Sequence, residues 1–171
     1  MRWLLCFLAI VPLSGTTLKL LTMDDMVNQS TAIVRGRIGS CAGELRSGII
    51  YTRCAISVTE TWKGASVSDV YTPGGTVRGL TQTFSGSPVL TAGQEYVLFL
   101  WAGKSGINQL IGLTQGVFQL SQGEKSATMA IRAASTEPMV DLRGRPAQDV
   151  TLRYSATELR HIVDDILKRS K

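Results

Sequence analysis

Residues Thr31–Gly64, TAIVRGRIGSCAGELRSGIIYTRCAISVTETWKG, decide the fold. They read as two long β-strands joined at Ser47-Gly48, because glycine tolerates the positive φ that a two-residue hairpin turn demands. With those two residues as the loop, Arg46 faces Ile49 and every facing pair follows in step. Cys41 then lies opposite Cys54 on a non-hydrogen-bonded pair, where Cα atoms stand about 4.5 Å apart. That separation is at the short end of what a disulfide spans, so the spacing permits a cross-strand bridge. The same register sets Arg35 beside Glu60 as an ion pair.

One feature resists strict pairing. Residues 50–58 put Ile50, Cys54, Ile56 and Val58 on one face and Tyr51, Arg53, Ser57 and Thr59 on the other. Ala32, Val34 and Ile38 alternate with Arg35 and Arg37 on the first strand, and an unbroken ladder would mix the two faces. A one-residue slip flips every side chain, so the pattern predicts a β-bulge at Gly36, Gly39 or Gly43, where glycine accepts the bulge backbone at little cost.

At 171 residues the chain suits a single domain, residues 18–171, with a sizeable core. Before it, Met1-Arg2, the apolar run Trp3–Leu13 and the small residues Ser14–Thr17 have the order of a secretory signal peptide, placed at 1–17. The run is shorter than the roughly 20 residues that span a bilayer. Cys6 leaves with it, so the remaining cysteines are Cys41 and Cys54. An even count in an oxidising compartment favours a bridge. The expected location is secreted or periplasmic, with no transmembrane span in the processed chain.

The charge balance is mildly basic, 18 Lys+Arg against 13 Asp+Glu for a net +5. Acids interrupt the basic residues of the C-terminal third, which describes a solvated mixed surface and makes nucleic acid an unfavoured partner.

Along the rest of the chain, Thr22 caps a short helix. A third strand is expected at Val67–Thr72. Residues 73–94, PGGTVRGLTQTFSGSPVLTAGQ, read as one long loop whose only charge is Arg78; loops of that length are usually functional or mobile. Glu95–Trp101 is a strand buried on both faces. Leu110–Leu120 is another, bent at Gly112 and Gly116, and Ser126–Arg132 adds an edge strand. Ala133–Arg153 is an extended connector. Ser155 and Glu158 form a capping box for an amphipathic helix over 156–169 with Leu159, Ile162, Val163, Ile166 and Leu167 inward.

These elements predict a mainly β fold, a small OB-like antiparallel barrel with a short N-terminal helix and a C-terminal amphipathic helix. The run Asn28–Ile38, the long second strand ending in Trp62-Lys63-Gly64, and Gly93–Leu100 resemble the netrin-like modules, which include the tissue inhibitors of metalloproteinases and related secreted bacterial domains. The likeness covers roughly residues 22–120. It implies a secreted OB-like barrel that acts by binding. Those inhibitors use an N-terminal cysteine to reach the protease zinc, and here no cysteine stands between the leader and Cys41. That mechanism does not carry over.

Chemistry-bearing constellations are absent from the sequence. His161 is the only histidine and points away from the apolar stripe of its helix, without partners for a metal site or a triad. From Val70 to Gly123 the only acid is Glu95. Pro73-Gly74-Gly75-Thr76 lacks the ending of a phosphate loop. Trp62 would suit a stacking platform, although a tryptophan at a strand end is more often a core or rim filler. The expectation is a non-enzymatic binding module, without cofactor or metal, engaging an exported protein. Arg78 and Phe84 in the loop, with Trp62, are its candidate binding residues. An extracellular hydrolase and an oligosaccharide-binding barrel are the alternatives.

Overall fold

A computed structural model describes residues 17–123 and 127–170. The expected leader lies outside the described residues except for Thr17, as does Ser126 of the expected edge strand. A two-residue strand β1 (Leu18–Lys19) precedes α1 (Met23–Gln29), whose capping box joins Thr22 to Asp25. The long strands β2 (Ala32–Arg46) and β3 (Ile49–Lys63) follow, then β4 (Asp69–Pro73). After them come β5 (Gly75–Val77), β6 (Leu80–Gln82), β7 (Glu95–Ala102) and β8 (Asn108–Leu110). A 3-10 turn at Leu113–Gly116 leads into β9 (Val117–Gln122) and β10 (Thr128–Arg132). The short strands β11 (Met139–Val140) and β12 (Pro146–Ala147) precede β13 (Leu152–Ser155) and α2 (Ala156–Arg169).

The hairpin forms as the sequence reads. Ser47 and Gly48 both take positive φ (48° and 83°), Arg46 faces Ile49, and Cys41 faces Cys54. The two cysteines are bridged, with Cα atoms 4.1 Å apart. Arg35 Nη1 meets Glu60 Oε1 at 2.8 Å.

The ladder shifts register three times. Gly39 and Ser40 together oppose Ala55, so the bulge falls at one of the three glycines foreseen. It carries the inward face from Cys41 to Ile38, which pairs with Ile56, both buried. Gly43 is regular and pairs with Thr52. Its lack of a side chain has a different cause: a Cβ there would lie 2.0 Å from the Thr76 carbonyl oxygen. The other two shifts insert Thr59 and Trp62 on β3, and the one at Thr59 places Trp62 on the helix side, opposite the ring interior.

The eight-stranded sheet runs β13-β10-β9-β7-β2-β3-β4-β8, and β8 pairs back onto β7. Strands β7, β2, β3, β4 and β8 therefore form a closed ring, with β4 and β8 parallel at Tyr71↔Gln109 and the other pairs antiparallel. β7 is the hinge of the architecture because its two faces serve two cores. Tyr96, Leu98 and Leu100 point into the ring with Val34, Ile38, Cys54 and Val70. Val97 and Phe99 point to the outer side, where Leu159, Val163 and Ile166 of α2 and Met26 and Val27 of α1 cover them. That period-2 division explains why EYVLFLW reads as an unbroken apolar run.

Four expectations need correction. Residues 73–94 are not one loop, since β5 and β6 pair as a hairpin around Arg78-Gly79. Both turn residues take positive φ, 50° and 80°, the same chemistry as Ser47-Gly48. Leu110–Leu120 is not one strand either. Ile111–Gly116 bulges out opposite Phe99, and the two halves, β8 and β9, pair with the same strand β7 on either side of it. Within the excursion the Gln115 side chain accepts from Leu21 N at 2.8 Å and donates to Lys19 O at 3.0 Å, which secures the N-terminal segment. β10 is not an edge, because β9 and β13 flank it. The connector after it contains β11 and β12, and β1 joins β11 in parallel.

The connector is fixed by a buried ion pair. Arg132 donates to both oxygens of Asp149 at 2.9 and 2.7 Å, and Asp149 also accepts from the Ser135 and Val150 amides. Both Asp149 oxygens are satisfied in this way, whereas Arg132 Nε is buried without a hydrogen-bond partner among the described residues, so the pair still carries a desolvation cost.

α2 spans the expected residues, with its Ser155–Glu158 capping box formed. Leu159, Val163 and Ile166 are buried, while Ile162 and Leu167 pack against that core partly exposed. Lys63 Nζ donates to Val27 O and Asn28 O at 2.7 and 3.0 Å, which satisfies carbonyls at the end of α1. Burial draws its amine below the ordinary lysine value.

Candidate functional site

The loop singled out in the sequence borders a cleft of about 240 Å³. β4 ends at Pro73, and Gly74 and Gly75 turn the chain into the short hairpin. Gly74 N donates to Ile50 O at 2.8 Å, which holds this turn against β3. Thr52 on β3 forms the floor. Its hydroxyl donates to Gly74 O at 2.8 Å, and a Cβ on Gly75 would meet that hydroxyl oxygen at 2.5 Å. The return segment Thr83–Leu90 forms the opposite wall, fastened by Ser87 Oγ donating to Pro73 O at 2.6 Å. Gln82 on β6 accepts from Ile50 N at 2.7 Å.

The consequence is chemical. No residue lining the cleft carries a charge. The Thr52 and Ser87 hydroxyls and the Gln82 carbonyl oxygen are turned back onto the protein's own backbone. Phe84 is 39% exposed and Val89 88% exposed, so apolar surface is offered to solvent. The lining offers no charge to pair with an ion and leaves apolar surface open beside it.

The three residues nominated from sequence do not converge. Phe84 lines the cleft. Arg78 sits at the tip of the β5–β6 turn and is not part of the lining. Trp62 is buried in the helix-side core, where its indole N–H donates to Glu60 Oε2 at 2.9 Å and the Arg160 guanidinium lies 5.3 Å from the ring centre. Sequence reasoning missed Thr52, Pro88 and Val89. The pairs Gly74-Gly75 and Ser87-Pro88 were the available signal, since both mark places where the chain must turn.

A shallow groove beside Arg37, Gln94 and Glu95 holds about 350 Å³. Arg37 donates to Gly93 O, Gln94 to Leu120 O, and Glu95 accepts from Arg35. Among the described residues no group of three His, Cys, Asp or Glu side chains could hold a metal ion. His161 is exposed.

The carboxylates with shifted pKa all move downward. The Thr22 amide lowers Asp25, the Arg53 guanidinium lowers Asp69, and the Arg145 amide lowers Asp141. Burial pushes Asp149 up, but Arg132 and the Ser135 and Val150 amides outweigh it. Such groups stay ionised and hold charge in place, whereas a general acid needs the opposite shift. No helix among the described residues is long and apolar enough to cross a membrane. The chain matches no protein-family model and no curated protein.

Proposed function

We propose that this chain is an exported, non-enzymatic binding module that grips an apolar side chain of a protein partner in the Thr52–Phe84–Val89 cleft. The observation that carries the reading is the uncharged lining, with the Thr52 and Ser87 hydroxyls bonded to backbone and Phe84 and Val89 exposed. The exposed Phe84 and Val89 favour an apolar protein side chain over an oligosaccharide. Export rests on the leader-like start of the sequence together with the disulfide.

The scaffold we assign is an OB-like barrel of the netrin-like kind. Five strands close in a ring with one parallel pair, which fits the five-stranded, partly open Greek-key barrel of that class. Helix α1 at its side lies within residues 22–120, the span of the resemblance, and α2 flanks the ring from beyond that span.

The test is capture of exported proteins from the source cells by the wild-type protein and by a Phe84→Ser/Val89→Ser variant. Both positions are exposed, so the fold should survive. Loss of captured protein in the variant is expected; equal capture by both would remove the cleft from the case. Turnover in a broad hydrolase screen would replace the binding reading with an enzymatic one.

A further inference from the structure

The two outer edges of the β2–β3 hairpin are treated differently. In a two-residue hairpin the facing pairs alternate, so Ile50, Thr52 and Cys54 on β3 and Cys41, Gly43 and Leu45 on β2 turn their backbone N–H and C=O outward. Along β3 these groups are taken up. β4 pairs with Tyr51–Ala55, Gly74 N donates to Ile50 O, and the Gln82 side chain accepts from Ile50 N.

Along β2 the pairing with β7 covers Ala32–Arg37, and two further bonds join Ile38 to Gly93 and Gln94. Beyond that, the outward groups of Cys41, Gly43 and Leu45 have no hydrogen-bond partner among the described residues. The β5–β6 hairpin does not supply one. The Thr76 carbonyl sits where a Gly43 Cβ would project, over the face of the sheet. Cys41 and Leu45 are exposed, Leu45 at 55%.

A free row of donors and acceptors is a template for another strand. We propose that its occupant is a second copy of this chain, paired antiparallel about a two-fold axis through Gly43. The local sequence suits that arrangement. Gly43 would face its own copy, so the closest approach on the axis carries no side chain. Cys41 would face Leu45 of the other copy, and each of these facing pairs exchanges two backbone bonds. On the other face, Glu44 would meet Ala42 and Arg46 would meet Ser40. No like charges are opposed, and Glu44 and Arg46 already neutralise each other within one chain at 2.5 Å. A contact that maps onto itself is the isologous kind that closes a dimer.

The test uses sedimentation velocity of the purified protein over a wide concentration range, with hydrogen exchange on the same samples. Leu45→Pro removes an outward N–H and blocks the edge, at a position where proline leaves the β2–β3 ladder intact. Twice the monomer mass at high concentration is expected, with concentration-dependent protection at the Cys41, Gly43 and Leu45 amides. Leu45→Pro should weaken self-association about tenfold or more, as losing two interfacial bonds per dimer implies. A monomer at every concentration up to millimolar overturns the proposal. So does a dimer that Leu45→Pro leaves unchanged, since association would then use another face. Should that variant fail to fold, the exchange pattern decides: wild-type amides at these three positions that exchange at one rate across all concentrations overturn it.

Discussion

The β2–β3 and β5–β6 hairpins use one turn chemistry to opposite ends. In each, two residues with positive φ reverse the chain, Ser47-Gly48 in the first and Arg78-Gly79 in the second. The first has fifteen residues on either side and a disulfide, and its strands belong to a ring with apolar side chains inside. The second has three residues on either side, faces solvent with Thr76 and Thr81, and leans on the first through Gly43 and Gln82. A turn permits a hairpin, and the surface buried by its strands determines whether the fold depends on it. The cleft lies where the dependent hairpin meets the structural one. Its Gly75 and 82–89 side lies outside the ring, whereas Thr52, Thr72 and Pro73 belong to ring strands.

The largest effect should come from the disulfide. It joins residues 13 apart in sequence, and removing such a cross-link costs about 3 kcal/mol by the loop-entropy account. A Cys41→Ala/Cys54→Ala protein should show that loss in its urea unfolding midpoint, with the β2–β3 amides exchanging faster throughout. If the midpoint does not move, the pairing of the two long strands is stable without its bridge, and the contrast between the hairpins must be drawn from burial alone.

Next in size is Gly43→Ala. The added methyl would sit 2.0 Å from the Thr76 carbonyl oxygen, and backbone cannot yield as a flexible side chain can. Overpacking of this kind costs about 1–3 kcal/mol. The β5–β6 amides should lose protection first, and the cleft wall at Gly75 and Gln82 should move with them. Unchanged exchange in β5–β6 would mean that the short hairpin does not rest on Gly43 in solution.

The same contrast accounts for what could be read from the sequence. Strict alternation through Ile50, Cys54, Ile56 and Val58 exposes the first hairpin, its register and its bridge, because each residue reports which face it occupies. The bulge at Gly39 is legible for the same reason. Helix α2 is legible down to its capping box, since apolar spacing and capping chemistry agree. GTV and LTQ have too few apolar residues to show a period, so β5 and β6 merge with the loop around them. Leu110–Leu120 misleads in another way. Its two halves do pair with one strand, and nothing in the string reveals that six residues bulge out between them opposite Phe99. The cleft was half visible: Phe84 stands out in an uncharged stretch, whereas Thr52 belongs to it only through tertiary contact. Trp62 escaped because the extra residue Thr59 on β3 resets its side, and a bulge there cannot be counted from β2 alone.

The smallest effect separates the hairpins most cleanly. Gly48 and Gly79 have nearly the same φ, 83° and 80°, and a Cβ at either would meet nothing within 4 Å. Alanine at each position therefore introduces the same local strain, about 1–2 kcal/mol, with no packing difference to confuse the comparison. If the ring depends on the β2–β3 hairpin, Gly48→Ala must lower global stability by about that amount, since the strain is present only when the whole domain is folded. Gly79→Ala has another outlet. The short hairpin can open while the ring stays closed, so its strain appears as faster exchange at the β5 and β6 amides with an unmoved unfolding midpoint. Paired denaturation curves and amide exchange on the two variants check this. Equal shifts in the midpoint would mean that the two hairpins unfold as one cooperative unit, and a cleft built between them would then be as rigid as the ring itself.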